Sequence, residues 1–339
     1  MSAATGMSGT PDTSIRFPRA LRAGDVVAVV APSSGVKPAM HERLDAALSM
    51  LRRQGFIVRE GRSLRQQVQG ASASAAERAA ELMEVLLDPE VAAVIPPWGG
   101  ELAIELLPLL DFDRLREAPP KWFSGFSDLS TIQVPLLLHA GWASLHGPNL
   151  MQLWDPALDV VSKRIVDLWF AEDGVPFEQA SAPGTVARRL DGGVEPLSIE
   201  GCLVGGCLDS LSRLAGTRVA DVATWRDALG DDERPLWFLE VAELPPFELA
   251  RALHGLRLAG WFDGAAGVVF GRSAVAKEIA AGGDFTEGHA LQRALGDLPC
   301  PVLLDLDIGH VGPQWAIVQG ALGRIDWHPG QTTLSQFLA

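Results

Sequence analysis

Three residues of this chain have types that could combine as nucleophile, base and orienting carboxylate. They are Ser127 in Gly125-Phe126-Ser127-Asp128, His310 in Ile308-Gly309-His310, and Glu240 at the end of the apolar run Leu236 to Leu239. Ser127 lies where an apolar strand-like run gives way to a helical one. A tight turn of that kind presents a hydroxyl at a helix N-terminus, where backbone N–H groups and the dipole favour a developing anion. The same placement suits a helix N-cap, and the turn by itself favours the cap; the stretch also lacks the final glycine of a G-x-S-x-G elbow. His310 follows an apolar strand and stands beside glycine, where a base reaches a cleft. His146, in His146-Gly147-Pro148-Asn149, is the rival. Glu240 could equally be an edge carboxylate paired with an arginine.

Glycine pairs give further candidates. Gly99-Gly100 follows the strand-like run ending at Ile95, and Gly205-Gly206 stands in the second half. Such pairs let a backbone approach a ligand and offer N–H groups to an oxyanion, or they merely relieve a tight turn. Asp305, Asp307 and His310 are spaced as a fragment of a metal site, but nothing nearby completes a ligand set, so no metal and no cofactor is expected.

These residues need a frame. Val26 to Val30 is a continuous apolar, β-branched run, as in strands buried on both faces. His41 to Gln54 has apolar residues at helical spacing, Gly55 closes it, and Phe56 to Val58 starts the next strand. Helix Ala75 to Leu87, strand Val91 to Ile95, helix Glu101 to Leu110, strand Trp122 to Phe126 and helix Leu129 to Ala140 continue the alternation. The class is α/β, with a doubly wound, mostly parallel sheet in the N-terminal domain. The pattern yields residues 1–20 as a mobile tail, 21–170 as the first domain, 171–195 as a linker rich in glycine, proline and charge, and 196–339 as a second domain. In the second domain the pattern places strands at Trp237 to Leu239, Gly267 to Phe270 and Val302 to Leu306, with a helix from Pro246 to Ala259. In such sheets ligands bind beyond the carboxyl ends of strands, where the loops Ala31 to Gly35, Trp98 to Gly100 and Gly125 to Asp128 fall.

Composition narrows the functional classes. The chain has 339 residues, 47% hydrophobic and 21% charged, and a formal charge of −14. Nucleic acid and anionic membrane surfaces call for basic patches and are excluded as partners. No apolar run is long enough for a membrane helix, and the N-terminus has no secretory pattern. Three cysteines, Cys202, Cys207 and Cys300, cannot all pair and miss the C-x-x-C spacing, which suits a reducing, cytoplasmic setting.

The three segments around Ser127, Glu240 and His310 together resemble the signature segments of the LD-carboxypeptidase family of serine peptidases. So do Ala31-Pro32-Ser33, the stretch from Glu77 to Ile95, Trp98-Gly99-Gly100, His146-Gly147-Pro148 and Gly205-Gly206, in order from Leu21 to Asp326. The resemblance implies an N-terminal domain like class I glutamine amidotransferases, a smaller C-terminal swivelling β/α domain, a cytoplasmic homodimer and a small peptide substrate. By motif position it makes Ser127 the nucleophile, His310 the base and Glu240 the carboxylate that orients it. The N–H of Asp128, with that of Gly99 or Gly100, would form the oxyanion hole, and Arg251 and Trp98 would contact substrate. Three departures stand out: Cys207 where the family has Gly-Gly-Asn, and Val241 and Phe247 where Asp and Tyr are frequent. The implied activity is release of D-alanine from a murein tetrapeptide. The alternatives are a microcin C self-immunity peptidase acting on an aminoacyl-nucleotide amide, and a two-lobed binding protein without chemistry.

Overall fold

The computed structural model describes residues 14–172, 174–230, 233–276, 279 and 283–338. Two sheets organise them. The first has six strands: β1 (Val26–Val29), β2 (Ile57–Glu60), β3 (Val91–Val94), β4 (Trp122–Gly125), β5 (Ser144–His146) and β12 (Ile317–Gln319), in the order β12-β5-β4-β3-β1-β2. All neighbours are parallel except β12 on β5. The second has eight strands. They are β6 (Phe177–Ala180), β7 (Arg188–Arg189), β8 (Leu197–Cys207), β9 (Pro235–Glu240), β10 (Gly267–Gly271), β11 (Val302–Leu306), β13 (Leu322–His328) and β14 (Gln331–Phe337). Their order is β6-β14-β13-β8-β9-β10-β11-β7, parallel from β8 to β11 and antiparallel at both margins. The class is therefore α/β in two sheet-centred units, as the alternating pattern indicates.

The boundaries differ from those read off the sequence in three places. Within the expected linker, β6 pairs with β14 and β7 with β11, so this segment supplies both edge strands of the second sheet. A glycine- and proline-rich composition marks edge strands as well as linkers. β12, from the C-terminal part of the chain, adds a strand to the first sheet beside β5. Residues 14–20 of the expected tail are docked: the N–H of Arg16 bonds the Gly141 carbonyl, and its guanidinium donates to the carbonyls of Ala118 and Ala140. Residues 1–13 lie outside the described residues.

Helix Ser130–Ala140 explains how the halves join. Nearly every residue in it is buried, a stripe apolar on all sides that marks a helix packed between layers. Its Val134 and Leu137 belong to one apolar cluster with Phe123 of the first sheet and Cys202, Val204 and Trp237 of the second. The segment read as helix Glu101 to Leu110 is instead a 3₁₀ run, Ala103–Leu109, containing Pro108. Proline removes the N–H that an α-helix needs there.

Candidate active site

β4 ends at Gly125, and a 3₁₀ turn, Ser127–Leu129, leads into the helix beginning at Ser130. Ser127 occupies the left-handed region, with φ 67°, which a side-chain-bearing residue adopts only where surroundings enforce it. What enforces it is the neighbouring carboxylate. Asp128 is buried, and its Oδ2 accepts from the Ser33 hydroxyl at 2.5 Å and the Ala103 N–H at 2.8 Å, while Oδ1 accepts from Thr131 at 3.2 Å. Asn149 Oδ1 takes the Phe126 N–H, and the Gln133 amide donates to the carbonyls of Gly125 and Leu145. Ser127 is not the cap of this turn, whose N-cap position is held by Phe126. Its hydroxyl faces His310 instead.

His310 Nε2 lies 3.1 Å from Ser127 Oγ, and His310 Nδ1 lies 2.7 Å from Glu240 Oε2. A carboxylate only accepts, so Nδ1 carries the proton and Nε2 is left as acceptor for the serine hydroxyl. Burial alone would lower the pKa of His310. The bond to Glu240 and the charges of Glu240, Asp209 and Glu243 outweigh it and hold the imidazole above its ordinary 6.5. Glu240 ends β9 and its side chain is fully buried; Oε1 has no protein hydrogen-bond partner among the described residues. Gly309, at φ 89°, brings the His310 loop against this carboxylate: a Cβ there would lie 2.5 Å from Glu240 atoms. The loop is anchored by Asp307, buried, which accepts from the Ala182 N–H and the Thr185 hydroxyl and pairs with Arg272 at 2.7 Å.

The other candidates sort clearly. Gly99 packs on the nucleophile turn, where an added Cβ would meet Ser127 Cβ and Asp128 N at 2.9 Å. Trp98, Gly99, Gly100, Ser127 and His310 line one cavity of about 480 Å³, together with Lys37. A second cavity, about 460 Å³, also opens on Gly100, Ser127 and His310, and its other walls include Glu101, Cys207, Asp209, Arg213 and Glu243. Burial and the charges of Glu243, Asp128 and Asp209 raise the Glu101 carboxyl above its usual range. Arg251 is not brought to this site. It is an exposed residue paired with Glu248, one turn away on the same helix, and borders a separate cavity with Phe247 and Phe285. A cationic residue on an exposed helix face finds its neighbour at i−3 before it finds a ligand. Lys37, Arg43 and Arg213 are the cations that do line the cavities at Ser127, Arg43 being held by the Met151 carbonyl, and no motif in the sequence singles them out.

His146, the rival base, is a core residue on β5 between Phe126 and Phe238, with its pKa depressed to about 3 by burial and by the charge on His310. Asp305 pairs with Arg188 and Asp307 is held as above, so neither turns toward His310 as a ligand partner. Of the three departures, Val241 is buried in the core and Phe247 stacks on Phe285; Cys207 is the one placed at the site. Arg78 escaped the sequence reading. Its buried guanidinium donates to the carbonyls of Pro32 at 2.7 Å, Leu102 at 3.0 Å and Ala73 at 3.0 Å and pairs with Glu105, tying together the loops before and after Trp98-Gly99-Gly100.

Residues 27–147 match the LD-carboxypeptidase N-terminal domain and residues 200–325 the LD-carboxypeptidase C-terminal domain. A probable murein peptide carboxypeptidase of Bacillus subtilis is 29% identical over 90% of this chain and 89% of its own. A muramoyltetrapeptide carboxypeptidase from Oxalobacter formigenes superimposes with a TM-score of 0.74 at 23% identity, covering 92% of this chain and 98% of that one. An MccF-like protein from Bacillus anthracis superimposes at 0.79 and 20% identity, covering 95% and 99%. The chain belongs to the LD-carboxypeptidase family of peptidases.

Proposed function

We propose that the protein is a serine carboxypeptidase that hydrolyses the terminal L,D-amide bond of a murein tetrapeptide and releases D-alanine. The observation that supports the chemistry is the chain of contacts from Ser127 through His310 to Glu240, at 3.1 and 2.7 Å, joining a turn of the first sheet to two strand ends of the second. In this reading Ser127 Oγ attacks the scissile carbonyl as His310 Nε2 takes its proton. His310 then delivers that proton to the leaving amine, while Glu240 keeps the imidazole in the productive tautomer and stabilises the imidazolium. The N–H groups of Asp128 and of Gly99 or Gly100 hold the oxyanion, each donor contributing about 3 kcal/mol in the transition state. Water then repeats the sequence on the acyl-enzyme.

The cavities on either side of Ser127 suit a substrate that bears charge at both ends of the bond. Lys37 or Arg213 is the partner assigned to the terminal carboxylate, and the carboxylates of Glu101, Asp209 and Glu243 face an amino group. A site that pairs both favours peptides bearing both charges over those lacking either. The murein substrate follows the Bacillus subtilis relative; the fold is equally that of MccF-like proteins and does not discriminate. The reading includes a cytoplasmic homodimer whose hydrolytic chemistry uses no metal or cofactor. Among the described residues no helix is long and apolar enough to cross a membrane.

The test pits the purified protein against a murein tetrapeptide, the corresponding pentapeptide and an aminoacyl sulfamoyl adenosine, with products followed by mass. D-Alanine from the tetrapeptide alone is the expected result. Cleavage of the adenosine compound alone would move the protein to the immunity-type reaction, and tight binding without cleavage would favour a binding protein.

A further inference from the structure

Cys207 lines the cavity that opens on Ser127 and His310, and the peptidase chemistry makes no use of its thiol. It ends β8 opposite Glu240 at the end of β9, and its N–H is held by Ser130 Oγ at 3.0 Å. One ligand atom each from Cys207, Glu240 and His310 can be chosen so that all three lie within 4.8 Å of one another. Sulfur, carboxylate oxygen and imidazole nitrogen together are a donor set that zinc accepts, and three protein ligands with an open fourth position are a common zinc arrangement. Around a zinc ion such atoms sit about 3.5 Å apart, so closure of roughly 1 Å would complete the shell.

A second observation points the same way. Glu240 is fully buried, yet its Oε1 has no hydrogen-bond partner among the described residues. This leaves an unsatisfied acceptor beside a thiol whose own contact is the long 3.7 Å one to Asp209 Oδ2, a combination that a cation would relieve. There is also a route to it. Cys207 and His310 both line the cavity whose walls carry Glu101, Asp128, Asp209 and Glu243 against one cation, Arg213, and a cleft with an excess of one sign of charge concentrates the opposite ion.

We propose that Cys207, Glu240 and His310 form an inhibitory binding site for a thiophilic divalent cation, with Zn²⁺ as its probe. The ion takes the thiolate sulfur, the free carboxylate oxygen and Nδ1. The thiol proton leaves to solvent, and the Nδ1 proton is replaced by the metal while the neutral ring carries its proton on Nε2. Nε2 is then a donor and no longer accepts the proton of Ser127. The effect on rate rests on the serine-peptidase reading; the binding itself does not.

The test uses chelator-treated full-length protein, Co²⁺ for thiolate charge-transfer absorption, Zn²⁺ for calorimetry, and tetrapeptide hydrolysis for rate. Expected are one equivalent bound with a thiolate band, inhibition that tracks occupancy and chelator reversal. Cys207→Asn and Cys207→Ser should both lose the band and need more than about tenfold higher Zn²⁺ for half-inhibition, each relative to its own metal-free rate. Ser127→Ala should keep the band. A missing band in the folded wild type, equal inhibition of the Cys207 variants, or activation by Zn²⁺ would each overturn the proposal. Full activity of Ser127→Ala with the band intact would instead sink the serine-peptidase reading alone.

Discussion

Ser127 and His310 meet at one point, yet opposite kinds of force hold them there. The nucleophile side is built from backbone: a left-handed φ at Ser127, a carboxylate at Asp128 saturated by neighbouring donors, and Gly99 packed so closely that no Cβ fits. The base side is built from charge: Glu240 bonded to Nδ1, Asp209 and Glu243 adding to the potential, and a loop clamped by the Asp307–Arg272 pair. Geometry of the first kind is intolerant of volume and indifferent to salt. Electrostatic positioning tolerates a change of shape but responds to every nearby charge.

The sharpest way to break the pairing is to remove the nucleophile. Ser127→Ala should fold with an unchanged melting temperature and lose on the order of 10⁵-fold in kcat, since serine and histidine act as a unit. Retained turnover would dissolve the comparison. On the base side, Glu240→Gln removes the charge with little change in volume. The expected loss is about 10⁴-fold in kcat, because the amide no longer enforces the tautomer with Nδ1 protonated. Gly99→Ala probes the nucleophile side by volume alone. Its methyl must displace Ser127 or the backbone at Asp128, and a shift of that size at the reacting atom is expected to cost about 10²-fold in kcat. If Gly99→Ala left kcat intact, the turn would be more compliant than its packing implies.

The two sides were also unequally legible in the sequence. Parallel strands buried on both faces leave continuous apolar runs, so β1, β3 and β4 were readable, and with them the turn bearing Ser127. β8 was not, because Gly201, Gly205 and Gly206 interrupt its apolar pattern; in the fold those glycines let other elements pack close, and a Cβ at Gly206 would strike Ser130 Oγ. β6 and β7 look like linker because β7 is only two arginines and the buried face of β6 alternates Phe177 with a polar residue, Gln179. Glu240 and His310 were recognisable by motif, whereas Arg78 was not, since a buried arginine in a helix whose other face is apolar gives no periodic signal. Arg251 misled for the opposite reason: its helix follows Glu240 closely in sequence but turns that side chain to solvent. Proximity along the chain says little about which cation reaches a cleft.

The finest probe of the comparison is a charge that touches nothing in the relay. Glu243 is exposed, and its negative field is one of the contributions that hold the pKa of His310 above 6.5. Asp209 is a poorer choice for this purpose, because its carboxylate also accepts the N–H groups of Ala242 and Glu243 and its loss would disturb the loop. The base must be neutral to act, so kcat/KM should rise with pH through the elevated pKa of His310 and level off above it. Removing a nearby negative charge makes the imidazolium less favourable and lowers that pKa. Glu243→Gln should therefore shift the acidic limb of the profile to lower pH by a few tenths of a unit, raising activity below the midpoint, relative to the variant's own plateau, by less than about threefold. The shift should shrink as ionic strength increases, since an exposed charge is screened. A profile that moved to higher pH, or a shift indifferent to salt, would mean that Glu243 acts through structure rather than through its field.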